Sequence, residues 1–311
     1  MDIVGVDTAV FGVDDLEAAR RFCRDYGFKE TEHGTAGASF ETLDGTGVML
    51  RHASDSSLPR APVGGSTGRE TIWGVRDKAA LEKIGAELSG DRQVRRDAAG
   101  VLHTTDDDGL AIAFQVTKRH AYDAKPKLQN IPGLPPQRPI NSRVDFSTLG
   151  EARSVGHIVY WSEDPDRSMK FYLNRLGFRM TDHVGNKAGV FARAAGSRDH
   201  HNLFFIGKPG ATTSFQHLEC HFADFQEVVV TGSYISQQGW KTARGPGRHV
   251  MGSNYYWYFV TPMGGAMELS ADIDQIDDNW VPGEWNTLAD MAGWVTTFGG
   301  PVKPDPIGRR A

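Results

Sequence analysis

Cysteine is scarce in this sequence. The 311 residues include two cysteines, Cys23 and Cys220, and they form no Cys-x-x-Cys pair. A disulfide framework and a thiolate zinc site both need more cysteines or closer ones, so neither is available to this chain. Two isolated thiols suit a reducing compartment, and we therefore expect a cytoplasmic protein.

Long apolar runs and basic clusters are also missing. The longest apolar runs, such as Tyr255 to Val260, are far too short to cross a bilayer, and no signal-peptide pattern opens the sequence. Lysine and arginine total 34 against 39 aspartate and glutamate residues, which gives a net charge of -5, and the basic residues are dispersed. We therefore expect neither a membrane nor a nucleic acid as a partner.

The composition is that of a globular protein with many short strands. Hydrophobic residues make up 39% and aromatic residues 10% of the chain, which is enough apolar material for packed cores. The 36 glycines and 15 prolines, without a heptad pattern, favour strands joined by turns. A length of 311 residues is about twice that of a typical domain, so two domains are expected.

An internal repeat with an offset of 150 residues supports two domains. Residues 6–33 align without gaps with residues 156–183, and each copy predicts a strand, a helix and a Gly-Phe turn into a second strand. Identical residues occur at five aligned pairs, Asp14 and Asp164, Gly27 and Gly177, Phe28 and Phe178, Thr31 and Thr181, and His33 and His183. Weaker units follow at residues 71–116 and 215–271. The sequence thus predicts four βαβββ-like units.

The composition changes at two places, which we take as boundaries. A Pro-rich stretch, KPKLQNIPGLPPQRP, favours an extended connector, and the end of the chain contains Trp280, Trp285 and Trp294. These tryptophans predict a tail that packs on the second domain and covers the mouth of a site. The predicted segments are an N-terminal non-catalytic domain at 1–124, a linker at 125–152, a catalytic metal-binding domain at 153–275 and a tail at 276–311.

Two histidines and a glutamate in the second half lie on strand faces that suit a metal site. Strand alternation places His157 with Val155 and Val159 on one face, His217 on the face opposite Leu218, and Glu268 on the face opposite Met267 and Leu269. Two imidazoles and one carboxylate match the facial triad that binds Fe(II) and leaves open positions. Taken singly, each residue is more often a satisfied core or surface group.

The first half lacks this set of residues. Its equivalent positions hold Asp7, Glu70 and Ala113, so we expect one metal site, in the second half, and a scaffold copy in the first. His217 and His221 also form an HxxxH pattern, but the surrounding HLECH differs from the HExxH of zincins and alternates as a strand does. We expect His221 to support the site without binding metal.

Four motifs in the second half resemble one family. They are VGHIVYW, DHHNLFF, RGPGRH and YWYFVTP followed by GGAMEL. Together they resemble the two-domain extradiol, or meta-cleaving, catechol dioxygenases of the vicinal oxygen chelate, or glyoxalase and bleomycin resistance, superfamily. The resemblance implies an α+β fold of four βαβββ modules, paired into two tandem domains, with an open barrel-like sheet around the metal of the C-terminal domain.

The resemblance also implies a reaction and roles for particular residues. Fe(II), or less often Mn(II), would be held by His157, His217 and Glu268, with a catecholic aromatic substrate and O2 as reactants. The product would be a ring-opened semialdehyde or dienoate, formed in aromatic catabolism, and a homo-oligomer is expected. The resemblance further implies His201, His249 and Tyr258 as catalytic groups, with His200 as the alternative to His201 for acid/base chemistry. We also expect His200, Arg244, Arg248 and Asn254 as substrate contacts; the alternative for the two arginines is that they organise the loop or form surface ion pairs.

Two other functions remain open on the same fold. A glyoxalase-like isomerase or lyase would use Zn(II) or Ni(II) without consuming O2, and it commonly needs a further carboxylate where this chain has His217. A non-catalytic module that binds an aromatic ligand would need no metal, which would leave the inward-facing Glu268 buried and unpaired.

Overall fold

A computed structural model describes residues 1–123, 128–144 and 149–296 of the chain. The first half forms one mixed sheet of eight strands in the order β2-β3-β4-β1-β5-β8-β7-β6. Its elements are β1 Ile3–Val13, α1 Leu16–Tyr26, β2 Lys29–Gly34, β3 Gly37–Glu41, β4 Gly47–His52, β5 Thr67–Val75, α2 Lys78–Leu88, β6 Arg95–Arg96, β7 Leu102–Thr105 and β8 Ala111–Val116.

The second half forms a mixed sheet of ten strands in the order β17-β10-β11-β12-β9-β13-β16-β15-β14-β18. Its elements are β9 Ser154–Ser162, α3 Pro165–Arg175, β10 Arg179–Val184, β11 Gly189–Arg193, β12 Leu203–Gly207, β13 Ser214–His221, α4 Phe225–Gln237, β14 Thr242–His249, β15 Tyr255–Val260, β16 Ala266–Ala271, β17 Gly283–Trp285, a 3₁₀ helix Leu288–Met291 and β18 Ala292–Val295. Each sheet contains two βαβββ modules, so the predicted α+β fold of four modules is confirmed.

The four helices begin in the same way, which explains why the modules share one shape. Each helix follows an aspartate whose carboxylate accepts the backbone N–H of the third residue after it, and this contact satisfies an otherwise unpaired helix donor. The capping residues are Asp15, Asp77, Asp164 and Asp224. After α1, Gly27 has a φ of 108°, a left-handed conformation that ends the helix and leads into the predicted Gly-Phe turn.

The two halves pack against each other through buried aromatic side chains. Trp73 of β5 is fully buried and contacts Phe178 edge-on, with ring centroids 5.1 Å apart, and Tyr172 of α3 at 6.3 Å. The Tyr172 hydroxyl donates to Asp106 at 2.9 Å. Arg119, which follows β8, donates to the carbonyl of Val155 at 2.8 Å. The first half therefore supports the strand that carries His157.

The tail adds a strand to each edge of the second sheet. β17 pairs in parallel with β10, and β18 pairs antiparallel with β14. Residues 128–144 contain no helix or strand, as expected for the linker, whereas 125–127, 145–148 and the predicted tail beyond 296 lie outside the described residues. The exact segment boundaries stay predictions. No helix in the described part of the chain is long and apolar enough to span a membrane.

Candidate metal centre

His157, His217 and Glu268 meet on one face of three neighbouring strands. They belong to β9, β13 and β16, which are adjacent in the second sheet. The Nε2 atoms of the two histidines lie 3.1 Å apart, and each lies 3.2 Å from Oε2 of Glu268. All three side chains are buried, and their ligand atoms lie within 4.8 Å of one another. The strand alternation in the sequence therefore predicted this cluster correctly.

The donor set fits a divalent cation. Burial alone would raise the pKa of Glu268, but the imidazoles of His157 and His217 beside it hold that pKa well below its ordinary value. Within the described residues, its Oε2 atom accepts no hydrogen bond of regular geometry. A buried carboxylate without such a partner is costly unless a cation is present. Two imidazoles and one carboxylate are the set used by Fe(II) and related metals in open sites.

A cavity of about 420 Å³ opens beside these three residues. Its apolar wall comes from β9, β11, β12, the turn between β14 and β15, and the tail, and comprises Trp161, Phe191, Phe204, Ile206, Met251, Leu288 and Met291. Polar side chains lie at the metal end, namely Gln216, Arg244, Asn254, Tyr258, His201 and His249. An apolar cavity with a few polar groups at one end is typical of a site for a small aromatic or aliphatic molecule.

His201 lines the cavity and His200 lies behind it. The ring centroid of His201 is 4.2 Å from that of His157, whereas His200 contacts Asp182, with Nε2 3.2 Å from Oδ2. The Nδ1 atoms of the two adjacent histidines lie 3.1 Å apart. Because His200 is fully buried and absent from the cavity wall, its expected contact with the substrate is not supported by its position.

His249 and Tyr258 form a hydrogen-bonded pair at the metal end of the cavity. Nε2 of His249 lies 3.0 Å from the Tyr258 hydroxyl, and its Nδ1 lies 3.3 Å from the carbonyl of Met291. The carbonyl can only accept, so Nδ1 is the donor of that contact, and in the neutral ring this leaves Nε2 able to accept the hydroxyl proton of Tyr258. Burial, with the Glu268 carboxylate nearby, raises the pKa of Tyr258 well above its ordinary value.

The other expected substrate contacts occupy different surroundings. Asn254 is fully buried and donates to Glu268 Oε1 at 3.1 Å and to Ser270 at 2.9 Å, so it holds the carboxylate in place. Arg244 lines the cavity, and its guanidinium lies 5.6 Å from the ring centroid of Tyr256.

Arg248 does not line the cavity. Instead, it pairs with Asp272 at 2.8 Å and lies over the ring of Tyr255. Its position therefore does not support the expected substrate contact.

The tail covers the cavity with different residues from those expected. None of the three tryptophans lines it: Trp280 donates to the Thr181 carbonyl, Trp285 packs beside a buried cluster, and Trp294 contacts Phe225. Leu288 and Met291, in the 3₁₀ helix between β17 and β18, line the cavity instead. The prediction that the tail packs on the second domain agrees with its strand pairing, but the tryptophans serve the packing.

The positions equivalent to the ligands in the first half do not form a metal cluster in the described residues. Asp7 is buried and accepts hydrogen bonds from Gln115 at 3.0 Å and Thr117 at 2.9 Å. Glu70 pairs with His103 at 2.8 Å, and Ala113 offers no donor. The cluster of His157, His217 and Glu268 is the metal-ligand group found in the described part of the chain.

Sequence analysis missed one buried charged residue of this site. Glu219, on β13 between His217 and His221, is fully buried, and its Oε2 lies 3.4 Å from Nδ1 of His157. Its other oxygen lies 3.0 Å from Nδ1 of His221. Strand alternation places His217, Glu219 and His221 of β13 on the same face, and this shared face is the signal that could identify Glu219. Alternation alone does not show which of these three residues comes close to His157 on the neighbouring strand.

The fold and the site together define a protein with two tandem pairs of βαβββ modules and, within the described residues, one candidate metal site. A family model described as the Glyoxalase/Bleomycin resistance protein/Dioxygenase superfamily matches residues 154–269. The second half of the chain matches this superfamily, and nearly the whole chain has the two-domain fold of solved extradiol dioxygenases. The predicted family is therefore confirmed.

Individual relatives show the same likeness. Metapyrocatechase 2 of Cupriavidus necator is 28% identical over 225 residues, which cover 71% of this chain and 67% of that protein. An iron-dependent extradiol dioxygenase of Rhodococcus jostii is 25% identical over 144 residues, 42% of this chain and just under half, 48%, of that protein. The solved Mn(II)-bound glyoxalase of Novosphingobium aromaticivorans has a TM-score of 0.75 at 19% identity, over 96% of this chain and 93% of that one.

Proposed function

We propose that this protein is an Fe(II)-dependent extradiol dioxygenase that inserts both atoms of O2 into a catecholic substrate and opens its ring. The observation that carries the proposal is the buried cluster of His157, His217 and Glu268 at the end of an aromatic-lined cavity. The relatives named as a metapyrocatechase and an iron-dependent extradiol dioxygenase support the same reaction. The expected product is a ring-opened semialdehyde or dienoate.

The three ligands would hold the metal on one side and leave the cavity side open. Fe(II) bound there would supply redox-active positions at which a catechol and O2 can both be held. Mn(II), which the glyoxalase from Novosphingobium aromaticivorans carries, suits the same donor atoms. Phe191, Phe204 and the other apolar residues of the wall would pack on the substrate ring and exclude water from it.

Three polar side chains of the cavity would manage protons in this reaction. Burial lowers the pKa of His201 well below its ordinary value, so its imidazole is neutral and can accept a proton from a substrate hydroxyl. Tyr258 and His249 face the same end of the cavity and would hydrogen-bond the substrate oxygens. These roles of His201, His249 and Tyr258 rest on their positions and on the family resemblance.

The test is a single-turnover assay on anaerobically Fe(II)-loaded protein. Catechol and 2,3-dihydroxybiphenyl are each bound first, labelled O2 is then added, and the products are identified by mass spectrometry. We expect cleavage beside the two hydroxyls with both oxygen atoms incorporated. Cleavage between the hydroxyls, or a product without labelled oxygen, contradicts the proposal, and isomerase activity without O2 consumption favours the glyoxalase-like alternative.

Variants of the ligands test the metal assignment. His157→Ala, His217→Ala and Glu268→Ala should each lose iron and activity while keeping a cooperative unfolding transition. Asp7→Ala is the control from the first half and should keep its iron, although loss of its buried hydrogen bonds will lower stability. Full iron content in all three ligand variants contradicts the assignment.

Variants of the adjacent residues His200 and His201 test the proposed proton-transfer role of His201. His201→Asn should keep iron and substrate binding but slow turnover by roughly 10²-fold or more, the effect of losing a general acid or base. His200→Asn is the matched control and should slow it much less, because His200 lies off the cavity wall. A large loss at His200 with none at His201 reverses this assignment.

Location and assembly remain proposals. We propose a cytoplasmic protein, in keeping with two free, buried cysteines. We also propose a homo-oligomer, since β2, β6, β17 and β18 end the two sheets and strand edges offer surfaces for association. Light scattering on the purified protein measures the assembly, and a monomer at micromolar concentration contradicts it.

A further inference from the structure

A row of charged side chains runs behind the metal ligand His157, and the nearest of them, Glu219, is fully buried. Glu219 lies between that ligand and His221, with carboxylate oxygens 3.4 Å from Nδ1 of His157 and 3.0 Å from Nδ1 of His221. Beyond it, Nε2 of His221 lies 3.2 Å from Oδ2 of Asp199. Asp199 is fixed in turn by the side-chain amide of Gln275, which donates to it at 2.6 Å. The row therefore leads from the ligand to the base of the tail.

The backbone beside the ligand leaves space for this row. A Cβ atom on Gly156, the residue before His157, would lie 2.0 Å from Glu219 Oε2 and 2.5 Å from His221 Nε2. Any residue with a side chain there would push both groups away. The close approach of Glu219 to the ligand thus depends on a glycine at position 156, which is an observation independent of the charges.

The charges of this row, from Glu219 through His221 to Asp199, sum to one net negative charge. Burial lowers the pKa of His221, but Glu219 and Asp199 on either side outweigh it and raise that pKa well above its ordinary value. A cationic His221 between two carboxylates leaves one net negative charge close to His157. Glu219 is therefore compensated on its outer side, and its inner oxygen remains available to the ligand.

The Nδ1 atom of His157, on the side of the ring away from the metal, needs a hydrogen-bond acceptor. A histidine that binds a metal through Nε2 carries its proton on Nδ1, and the group that accepts this proton orients the ring. Nδ1 of His157 is buried and has no hydrogen bond of regular geometry in the described residues, while Glu219 lies within ion-pair distance.

We propose that Glu219 is a positioning residue that accepts the Nδ1–H of His157 and fixes the tautomer whose Nε2 atom faces the metal. His221 and Asp199 hold Glu219 in that place. This inference rests on the proposed metal-binding function and adds an outer residue to it. The distances to His157 and His221, the burial of Glu219 and the space at Gly156 support this role.

The first test measures metal affinity. Anaerobic competition with a chromogenic chelator gives the dissociation constant for Fe(II) of the full-length protein, Glu219→Gln and Glu227→Gln. We expect Glu219→Gln to weaken Fe(II) binding about 10- to 100-fold, the usual effect of removing a partner of a ligating histidine. Glu227→Gln is the matched control, since Glu227 is a buried carboxylate of the same domain that accepts from Ala223, and it should leave the affinity unchanged.

The second test reads the tautomer directly and needs no variant of Glu219. In Zn(II)-loaded protein labelled with ¹⁵N-histidine, NMR should show His157 protonated at Nδ1, with that proton shifted downfield by a hydrogen bond. His157 is assigned through correlations between its ring nitrogens and its own backbone signals. Where Glu219→Gln folds, the signal should move upfield. An Nδ1 without a proton, or an unshifted proton in the original protein, overturns the inference even if the variant fails to fold.

The outcomes separate this inference from the proposed function. If the original protein binds neither Fe(II) nor Zn(II), the metal-binding function fails and the role of Glu219 fails with it. If it binds both and Glu219→Gln binds Fe(II) equally well, the role of Glu219 alone is refuted. An equal loss in Glu219→Gln and Glu227→Gln also refutes it, because a general loss of domain stability then explains the result.

Discussion

The contact between the two halves predicts an unusual dependence of stability on pH. Asp106 lies in the turn between β7 and β8, and its carboxylate accepts the backbone N–H groups of Asp108 and Leu110 and the hydroxyl of Tyr172. Burial is the main cause that raises the pKa of Asp106 from 3.8 to about 7, and the nearby Asp108 adds to it. A raised carboxyl pKa means that the folded protein prefers the protonated form.

The sign and size of the effect follow from this pKa. Well below pH 3.8, at about pH 3 and lower, Asp106 is protonated in nearly all folded and unfolded chains, so it has little effect there. Between 3.8 and about 7 only the unfolded chain ionises, and the free energy of unfolding falls as the pH rises. Each pKa unit corresponds to about 1.4 kcal/mol, so the full loss is about 4 kcal/mol, and about 2 to 3 kcal/mol of it falls between pH 5 and 8.

Urea unfolding of the original protein and Asp106→Asn at pH 5 and pH 8 measures this effect. The amide of asparagine does not titrate, so the variant should gain about 2 to 3 kcal/mol relative to the original protein as the pH rises. Asp107→Asn, an exposed neighbour paired with Arg92, is the control and should show the same difference at both pH values. If the relative stability of Asp106→Asn is the same at pH 5 and 8, the reasoning is refuted.

Three further predictions concern the core and the site. Asn254→Ala leaves a carboxylate oxygen of the metal site unpaired and should cost about 1–3 kcal/mol in metal-free protein, measured by urea unfolding; an unchanged midpoint contradicts this. Trp73→Ala empties the contact between the halves and should cost about 3–5 kcal/mol, a prediction that fails if the melting temperature is unaltered. Burial raises the pKa of the Cys23 and Cys220 thiols, so neither should react with a thiol reagent before unfolding, and rapid labelling of the native protein would disprove this.

The ligand set could be predicted because the rule that identifies it is local. Strand alternation fixes the face of a side chain, and His157, His217 and Glu268 each stand opposite apolar neighbours that must be buried. The repeat then assigned the three strands to the two βαβββ modules of the second half. The face of each side chain and the order of the modules were together enough to predict that the three side chains lie close together.

The rest of the site depends on features that no local pattern contains. Register shifts between β9 and β13, on either side of His217, decide how close Glu219 comes to His157. Adjacent His200 and His201 point to different surroundings, but an irregular segment before β12 sets which of them faces the cavity. The tail tryptophans were assigned to the cavity by size and aromaticity, whereas strand pairing at the sheet edges turns Leu288 and Met291 toward it.

The tail has a consequence for how substrate preference can change. Its two strands attach to the sheet through backbone pairing, which tolerates many side chains, and only the short helical turn between them contributes Leu288 and Met291 to the cavity. Substitutions in this turn can reshape the far wall without altering the ligand residues or their strands. This turn is therefore the natural place for a protein engineer to graft sequences from relatives. Natural divergence in the same turn can change the preferred substrate while the reaction stays the same.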